Sequence, residues 1–197
     1  MTFHLRQRLL SKKNTAAIVI LAGLALAPFT QAHATQWQVN PDTSHLSLEA
    51  TQAGTPFTGE FRDFTATITL DPANLASASI TAQIKTGSIS TDSSERDGTL
   101  PGADWFDVES FPTATFVSHS VKARGPEQYE AQGDLTIKGT TVPLTLPFSL
   151  KIEGDNASAS GTVSINRQAF GIGTGQWDTE SVAGFSVSIT YQINATK

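Results

Sequence analysis

The chain has 197 residues, with 18 acidic side chains against 13 lysines and arginines, and it contains no cysteine. Without cysteine it can form neither a disulfide nor a lipid-modified N-terminal cysteine, so its stability must come from packing and hydrogen bonding. The acidic balance argues against nucleic acid and anionic membrane surfaces as partners, because both attract clustered positive charge.

Residues 1–34 have the composition of a secretory signal peptide. Four basic residues come first, then an apolar run over residues 16–27, then a small-x-small cleavage pattern over residues 32–34. The apolar run is shorter than the ~20 residues that a membrane span needs. We predict cleavage after Ala34 and export to a bacterial periplasm, leaving one domain, residues 35–197, with a net charge of about −9 because four basic residues are lost.

Apolar side chains in this domain recur at every second position, the period of a β-strand with one buried face. The alternation predicts strands at residues 37–39, 46–50, 57–70, 80–85, 114–123, 129–137, 142–152, 159–166 and 185–193. Phe57 and Phe61 are out of phase with the later part of their run, which predicts a bulge or bend near Arg62-Asp63.

The clearest hairpin lies at residues 129–152, where the apolar positions change from odd to even numbers across Lys138-Gly139-Thr140-Thr141. Two alternating runs joined by a short connection that contains glycine predict an antiparallel hairpin. Pro143 and Pro147 take outward positions in its second strand. Since each proline removes one donor from the ladder, we expect this strand to be bulged or partly at a sheet edge.

The alternation fails from about residue 90 to residue 112, which leaves room for one short helix within a long loop. A long connection inside a compact domain is usually functional. The remaining chain has almost no helical periodicity, so the predicted class is antiparallel all-β, either a sandwich or a closed barrel. A membrane barrel has the same alternation, but two tyrosines and three tryptophans are few for its interface belts.

No group of residues stands out as a catalytic or metal site. His45 and His119 are far apart in the sequence, and a zinc site needs three or four close ligands. The glycine-rich run at residues 171–175 precedes a predicted strand, whereas a dinucleotide loop precedes a helix. We therefore predict no metal, no catalytic residue and no enzymatic activity.

Charged and aromatic residues are interleaved in two loops. They are Arg96, Asp97, Trp105, Phe106, Asp107 and Phe111 in the first loop, and Arg167, Phe170 and Trp177 in the second. These aromatic side chains could plug one end of a packed core. They could equally line the mouth of an apolar cavity, with the arginines at its rim.

Short segments in a characteristic order extend over the predicted mature chain. They include Asn40-Pro41-Asp42-Thr43-Ser44-His45, Gly59-Glu60-Phe61-Arg62-Asp63-Phe64, Arg96-Asp97, Asp104-Trp105-Phe106-Asp107, Gly133-Asp134-Leu135-Thr136-Ile137-Lys138-Gly139 and Ile165-Asn166-Arg167. Through these segments the sequence resembles the YceI-like family, a group described as polyisoprenoid-binding and lipocalin-like. Related chains often carry a histidine a few residues after the first Ser-His pair, and this chain has Gln52 there.

The resemblance implies an antiparallel eight-stranded lipocalin-like barrel with a long hydrophobic cavity. It also implies a periplasmic protein that holds an isoprenoid, a quinone-like molecule or another long-chain amphiphile. From the alternation we expect the following residues to line the cavity: Ile68, Ile84, Leu100, Trp105, Phe106, Phe116, Leu135, Phe148, Phe170 and Phe185. We expect Arg96 and Arg167 at its rim.

The function that this resemblance implies is non-catalytic binding and carriage of a lipid or isoprenoid, with no cofactor besides that ligand. One alternative is an enzyme or redox accessory protein that acts on an isoprenoid quinone beside a membrane cytochrome. Another is a filled sandwich with a structural role. The sequence leaves homodimer formation open.

Overall fold

The structure is a computed structural model that describes residues 35–197, so the predicted signal peptide lies outside the described residues. Its strands are β1 Gln36–Val39, β2 His45–Gln52, β3 Thr55–Phe61, β4 Phe64–Thr69, β5 Ser79–Lys85, β6 Ile89–Ser90, β7 Thr113–Gly125, β8 Gln128–Ile137, β9 Thr140–Glu153, β10 Asn156–Asn166 and β11 Ser186–Thr196, and its α-helix is α1 Ser94–Thr99. Short 3-10 turns lie at Pro41–Thr43, Leu75–Ser77, Thr86–Ser88, Arg167–Phe170 and Gly175–Trp177. Within residues 35–197, α1 is too short to cross a membrane, and no other helix has the length and apolar composition to do so.

These strands close into an eight-stranded antiparallel barrel. β1 and β2 lie end to end along β11, separated by the turn Pro41–Thr43. β3 and β4 lie end to end in the same way beside them, and β5 and β6 follow. With each of these pairs counted as one strand, the ring continues through β7, β8, β9 and β10 to β11, which pairs back with β1. The predicted closed barrel is therefore confirmed.

A bend interrupts the long run that the sequence predicts at residues 57–70. β3 ends at Phe61 and β4 begins at Phe64, as the change of phase predicts. The bend is held by the neighbouring turn, since Arg62 N donates to Ser88 O at 3.3 Å and Asp63 N donates to Ser88 Oγ at 3.1 Å. Because the bend absorbs the phase change, both halves can direct apolar side chains inward.

The predicted hairpin is formed by β8 and β9, which pair from Gln128↔Ser149 to Ile137↔Thr140. Its two-residue turn has positive φ at Lys138 (48°) and Gly139 (74°), as the tight hairpin turns require. β9 pairs with β10 only from Ser149 onward, so its first part, which contains both prolines, is an edge. The expectation of a partial edge is confirmed.

Two clusters of buried apolar residues lie at the two ends of the barrel. The Trp37 cluster comprises Trp37, Leu70, Phe116, Val121, Ala131, Phe148, Leu150 and Ala195. The Phe106 cluster comprises Phe61, Ile89, Leu100, Phe106, Ala114, Ile137, Phe170 and Ile172. The Trp37 side chain covers this end of the barrel, and its position is fixed because its indole Nε1 donates to Leu70 O at 2.9 Å.

Candidate ligand-binding cavity

An apolar cavity of about 310 Å³ lies inside the barrel. All eight strands of the ring contribute inward side chains to its wall, which extends from Trp37 and Leu150 to Arg96 and Trp105. Most of these side chains are aliphatic or aromatic, and the polar ones expose little surface to the cavity. The interior can therefore accept a hydrocarbon chain and offers few groups that would hold water.

Many inward side chains are only half-buried. Ile68, Ile84, Leu135, Leu144 and Ile189 all point into the barrel, yet each keeps more exposed surface than a core residue would. In a filled core such residues interdigitate and lose almost all exposure. Their remaining exposure faces the cavity, which argues for a lined cavity over a packed core.

The structure places most of the predicted lining residues at the cavity wall. Those that border it are Ile68, Ile84, Leu100, Trp105, Phe106, Phe116, Leu135 and Phe148. Phe170 and Phe185 do not border it. Phe170 lies in the turn Arg167–Phe170 and is packed into the Phe106 cluster at 2% exposure. Phe185 precedes β11, and its ring lies 5.2 Å from Arg167 Cζ. Phe185 lies just before β11, where the alternation no longer sets its direction, and the turn Arg167–Phe170 directs Phe170 into the Phe106 cluster.

Sequence reasoning missed two kinds of lining residue. The first kind is small or follows the same alternation as the predicted set: Ala50, Ala66, Ala82, Ala159, Leu146, Val163, Ile165, Val187, Tyr191 and Ile193. Their odd or even positions along each strand match those of the inward-facing residues, and this pattern could have identified them. The second kind is polar and gathers at one end: Thr51, Gln52, Thr91, Glu95 and Thr99. Thr91, Glu95 and Thr99 lie close to Arg96 in the sequence, whereas only the fold brings Thr51 and Gln52 to them.

Arg96 lies at this polar end, on α1. Its Nε donates to Thr91 Oγ1 at 3.1 Å, its Nη1 donates to Gln52 Oε1 at 3.3 Å, and its Nη2 donates to Thr91 O at 3.3 Å. These bonds use three of the five N–H groups of an arginine. No carboxylate of residues 35–197 lies within ion-pair distance of Arg96. The guanidinium therefore keeps two donors that a ligand can use, while its charge acts on Asp97 only from beyond ion-pair distance and helps to lower the pKa of that carboxyl.

Asp97 holds Thr91 in place, and Thr91 in turn orients Arg96. The Asp97 carboxylate accepts from Thr91 Oγ1 at 2.7 Å, from Thr91 N at 2.7 Å and from Ser90 Oγ at 3.3 Å. These hydrogen bonds favour the ionised form, and the bond from the Thr91 side chain contributes most to lowering the pKa of Asp97. Thr91 in turn accepts from Arg96, so the loop is fixed before a ligand arrives.

Arg167 also borders the cavity, but all of its donors are used. Its Nε donates to Gly184 O, its Nη1 to Ile172 O and Gly173 O, and its Nη2 to Trp177 O and Ala183 O, at 2.6–3.0 Å. It is 3% exposed, and burial lowers the pKa of its guanidinium. Five backbone carbonyls thus satisfy five N–H groups. Arg167 fixes the loop at residues 172–184, and its place at the rim gives a ligand no free donor.

His45 and His119 lie on the outer surface, away from the cavity. His45 Nδ1 lies 3.1 Å from Glu60 Oε1, and His119 Nε2 lies 2.9 Å from Asp134 Oδ2. All four side chains of these two pairs are substantially exposed. Within residues 35–197, no three His, Asp or Glu side chains come together as a metal site would require.

Comparison with known proteins gives one consistent result. The YceI-like domain matches residues 37–195. A UPF0312 protein of Pseudomonas putida is 32% identical over 170 residues, which cover 82% of this chain and 88% of that protein. The crystal structure of Burkholderia cenocepacia BcnA is similar with a TM-score of 0.78 and 33% identity, covering 81% of this chain and 100% of BcnA.

A more distant structure shares the fold. It is a domain of Saccharophagus degradans, described as polyisoprenoid-binding and implicated in plant cell wall breakdown. Its TM-score is 0.63 at 12% identity, covering 83% of this chain and 99% of that domain.

Proposed function

This chain belongs to the YceI-like family, and from that premise we propose that it is a non-catalytic binding and carrier protein. Its ligand is a long-chain amphiphile, an isoprenoid, a quinone-like lipid or a similar molecule, held in the barrel cavity. The observation that carries the proposal is the ring of inward, half-buried apolar side chains around about 310 Å³ of space. The ligand class described for the Saccharophagus degradans domain supports the same choice.

The hydrophobic effect supplies the driving force. Each methylene removed from water contributes ~0.8 kcal/mol. About ten buried methylenes therefore contribute ~8 kcal/mol to the binding free energy. This value corresponds to micromolar affinity, and it is an upper bound because the costs of association reduce it. Such a ligand needs few polar contacts, which fits a wall that is almost entirely apolar.

The polar end sets the orientation of the ligand. The apolar tail points toward the Trp37 cluster, and the head group lies beside Arg96 and Gln52. Arg96 offers two N–H donors and a positive charge, so it favours a head group rich in acceptors, such as a carboxylate, a phosphate or a quinone carbonyl.

The site of action is part of the proposal. Residues 1–34 direct export, cleavage follows Ala34, and the mature protein acts in the periplasm. Cell fractionation followed by intact-mass measurement tests this directly. A mass that retains residues 1–34, or a protein confined to the cytoplasm, would contradict it. A membrane cytochrome and a homodimer remain predictions that the carrier function does not require.

Native mass spectrometry of protein purified from its own periplasm, followed by organic extraction and lipid analysis, tests the proposed function. We expect a stoichiometric long-chain species. Phe116→Asp, which places a charge at a 3% exposed lining position, should lose that species, whereas Val117→Asp, at the adjacent position with 43% exposure, should retain it. A protein that carries no such species and takes up neither isoprenoids nor fatty acids would overturn the proposal. Absorbance of a bound haem or quinone would favour the redox alternative.

A further inference from the structure

β9 and β10 pair over only part of their length. Their register runs from Glu153↔Asn156 to Ser149↔Ser160 and stops there. Beyond that point, residues 140–148 pair with β8 alone and residues 161–166 pair with β11 alone. Within residues 35–197, this leaves a lengthwise stretch of the barrel wall without ladder hydrogen bonds, which we call the β9–β10 seam. Six residues of extended chain make it ~20 Å long.

The two prolines of β9 keep the seam unpaired. Pro147 O accepts from the hydroxyl of Tyr191, which lies on β11, so the Pro147 backbone faces the β10 side. Pro143 lies four residues earlier on the same strand and faces the same way, because the backbone direction alternates along a strand. Both positions therefore lack the N–H groups that a continuous β9–β10 ladder would use.

Side chains bound the seam at its two ends. At the paired end, the Tyr191 hydroxyl donates to Pro147 O at 2.6 Å, which replaces a ladder hydrogen bond. Gly161 makes room for this contact, since a Cβ there would collide with Pro147 O and lie 2.5 Å from the hydroxyl oxygen, so β9 and β10 are in contact at this end. At the other end lies the turn Arg167–Phe170, with Phe170 packed in the Phe106 cluster against which Val142 also packs.

The inner edges of the seam are apolar and belong to the cavity. Leu144 and Leu146 on β9, and Val163 and Ile165 on β10, all border the cavity and are half-buried. Residues 140–148 and 161–166 contain no charged side chain. A hydrocarbon chain that crosses the wall here therefore displaces no charge and interrupts no strand ladder.

We propose that the β9–β10 seam is a lateral portal through which the hydrocarbon chain of the amphiphile enters and leaves the cavity. The portal rests on the proposed function, because it serves a cavity that holds such a chain. Passage of the ligand through the side of the barrel leaves the polar end intact, where hydrogen bonds join Arg96, Thr91 and Asp97. It also lets a chain longer than the cavity protrude through the wall.

A cross-link over the seam tests the portal. The chain has no cysteine, so Thr145→Cys with Ser164→Cys introduces the only thiols, both at exposed outward positions. A bis-maleimide then joins β9 to β10. The matched control is Thr136→Cys with Thr141→Cys, whose hydroxyl oxygens lie 2.8 Å apart across the paired β8 and β9. Stopped-flow fluorescence follows the uptake and release of the polyene fatty acid parinaric acid.

We expect the seam cross-link to slow both uptake and release by about tenfold or more, with the control cross-link leaving both rates unchanged. Tyr191→Phe, which removes the hydrogen bond to Pro147, should accelerate both rates severalfold. Equal rates in the seam-linked and control proteins would overturn the portal while leaving the carrier function standing. Failure of the unmodified protein to take up parinaric acid, other fatty acids and isoprenoids alike would overturn both.

Discussion

Arg96 Cζ lies 4.4 Å from the centre of the Phe57 ring. The contact joins α1 to β3, and the bond from Arg96 Nη1 to Gln52 adds β2. A cation over an aromatic face is stabilised by the ring quadrupole. Arg96 is thus held against β2 and β3 while two of its N–H groups have no acceptor within residues 35–197, as the head-group contact of the proposed carrier would require.

Arg96→Gln should weaken the binding of a long-chain fatty acid by about ten- to a hundredfold, since a charge-assisted hydrogen bond contributes ~1.5–3 kcal/mol. The fatty alcohol with the same chain should bind almost as before. Isothermal titration with the two ligands measures the difference. Arg62→Gln, an exposed arginine, is the control. Equal losses for acid and alcohol would show that Arg96 supports the loop and does not select the head group.

Arg167→Lys should destabilise the protein by about 3 kcal/mol or more. A lysine side chain cannot donate to all five carbonyl groups, so some buried carbonyl groups would be left without a hydrogen-bond donor. For a domain of this size each kcal/mol lowers Tm by ~2–4 °C, so Tm should fall by ~6–12 °C. Thermal unfolding followed by circular dichroism measures it. Arg62→Lys should change stability by less than ~0.5 kcal/mol. An unchanged Tm in Arg167→Lys would contradict a structural role for the five bonds.

Ala82→Phe should be tolerated and should reduce the length of chain that binds. Ala82 is half-buried and borders the cavity, so the added ring fills existing space. Val121→Phe should instead cost ~1–3 kcal/mol through overpacking, since Val121 is 5% exposed and does not border the cavity. Denaturant unfolding compares the two variants, and titration with fatty acids of increasing length measures the capacity. Equal destabilisation by both changes would indicate a filled interior.

Asp97 should make stability depend on pH in the acid range. Its pKa is lowered below the ordinary value of 3.8, chiefly by the hydrogen bond from the Thr91 side chain. A carboxyl group with a lowered folded-state pKa stabilises fully above its unfolded value and loses that contribution as pH falls through the folded value. Asp97→Asn should therefore be less stable than the wild type at neutral pH, and the difference should shrink below about pH 3.8. Denaturant unfolding at several pH values measures this, with the exposed Asp92→Asn as control. A difference that stays constant with pH would contradict the assignment.

The local pattern of apolar and polar residues in the sequence was sufficient to predict most of the fold. The period of two located the strands, the change of phase located the bend before Phe64, and Lys138-Gly139 located the hairpin turn. The same parity placed Ile68, Phe116 and Phe148 at the cavity wall. These features depend on neighbours along the chain or directly across a strand pair, which a sequence records.

The roles of the two arginines required the tertiary structure. Both stand beside aromatic residues in loops, and the sequence treats them alike. Only the fold brings five backbone carbonyls around Arg167 and leaves Arg96 with donors beside Gln52, which is 44 residues away in the chain. The sequence by itself determined an antiparallel β-domain with an apolar interior, because alternation encodes which face is buried. Whether that interior was filled or open was decided by closure of the ring, since the space between inward side chains depends on the distance between opposite walls of the barrel.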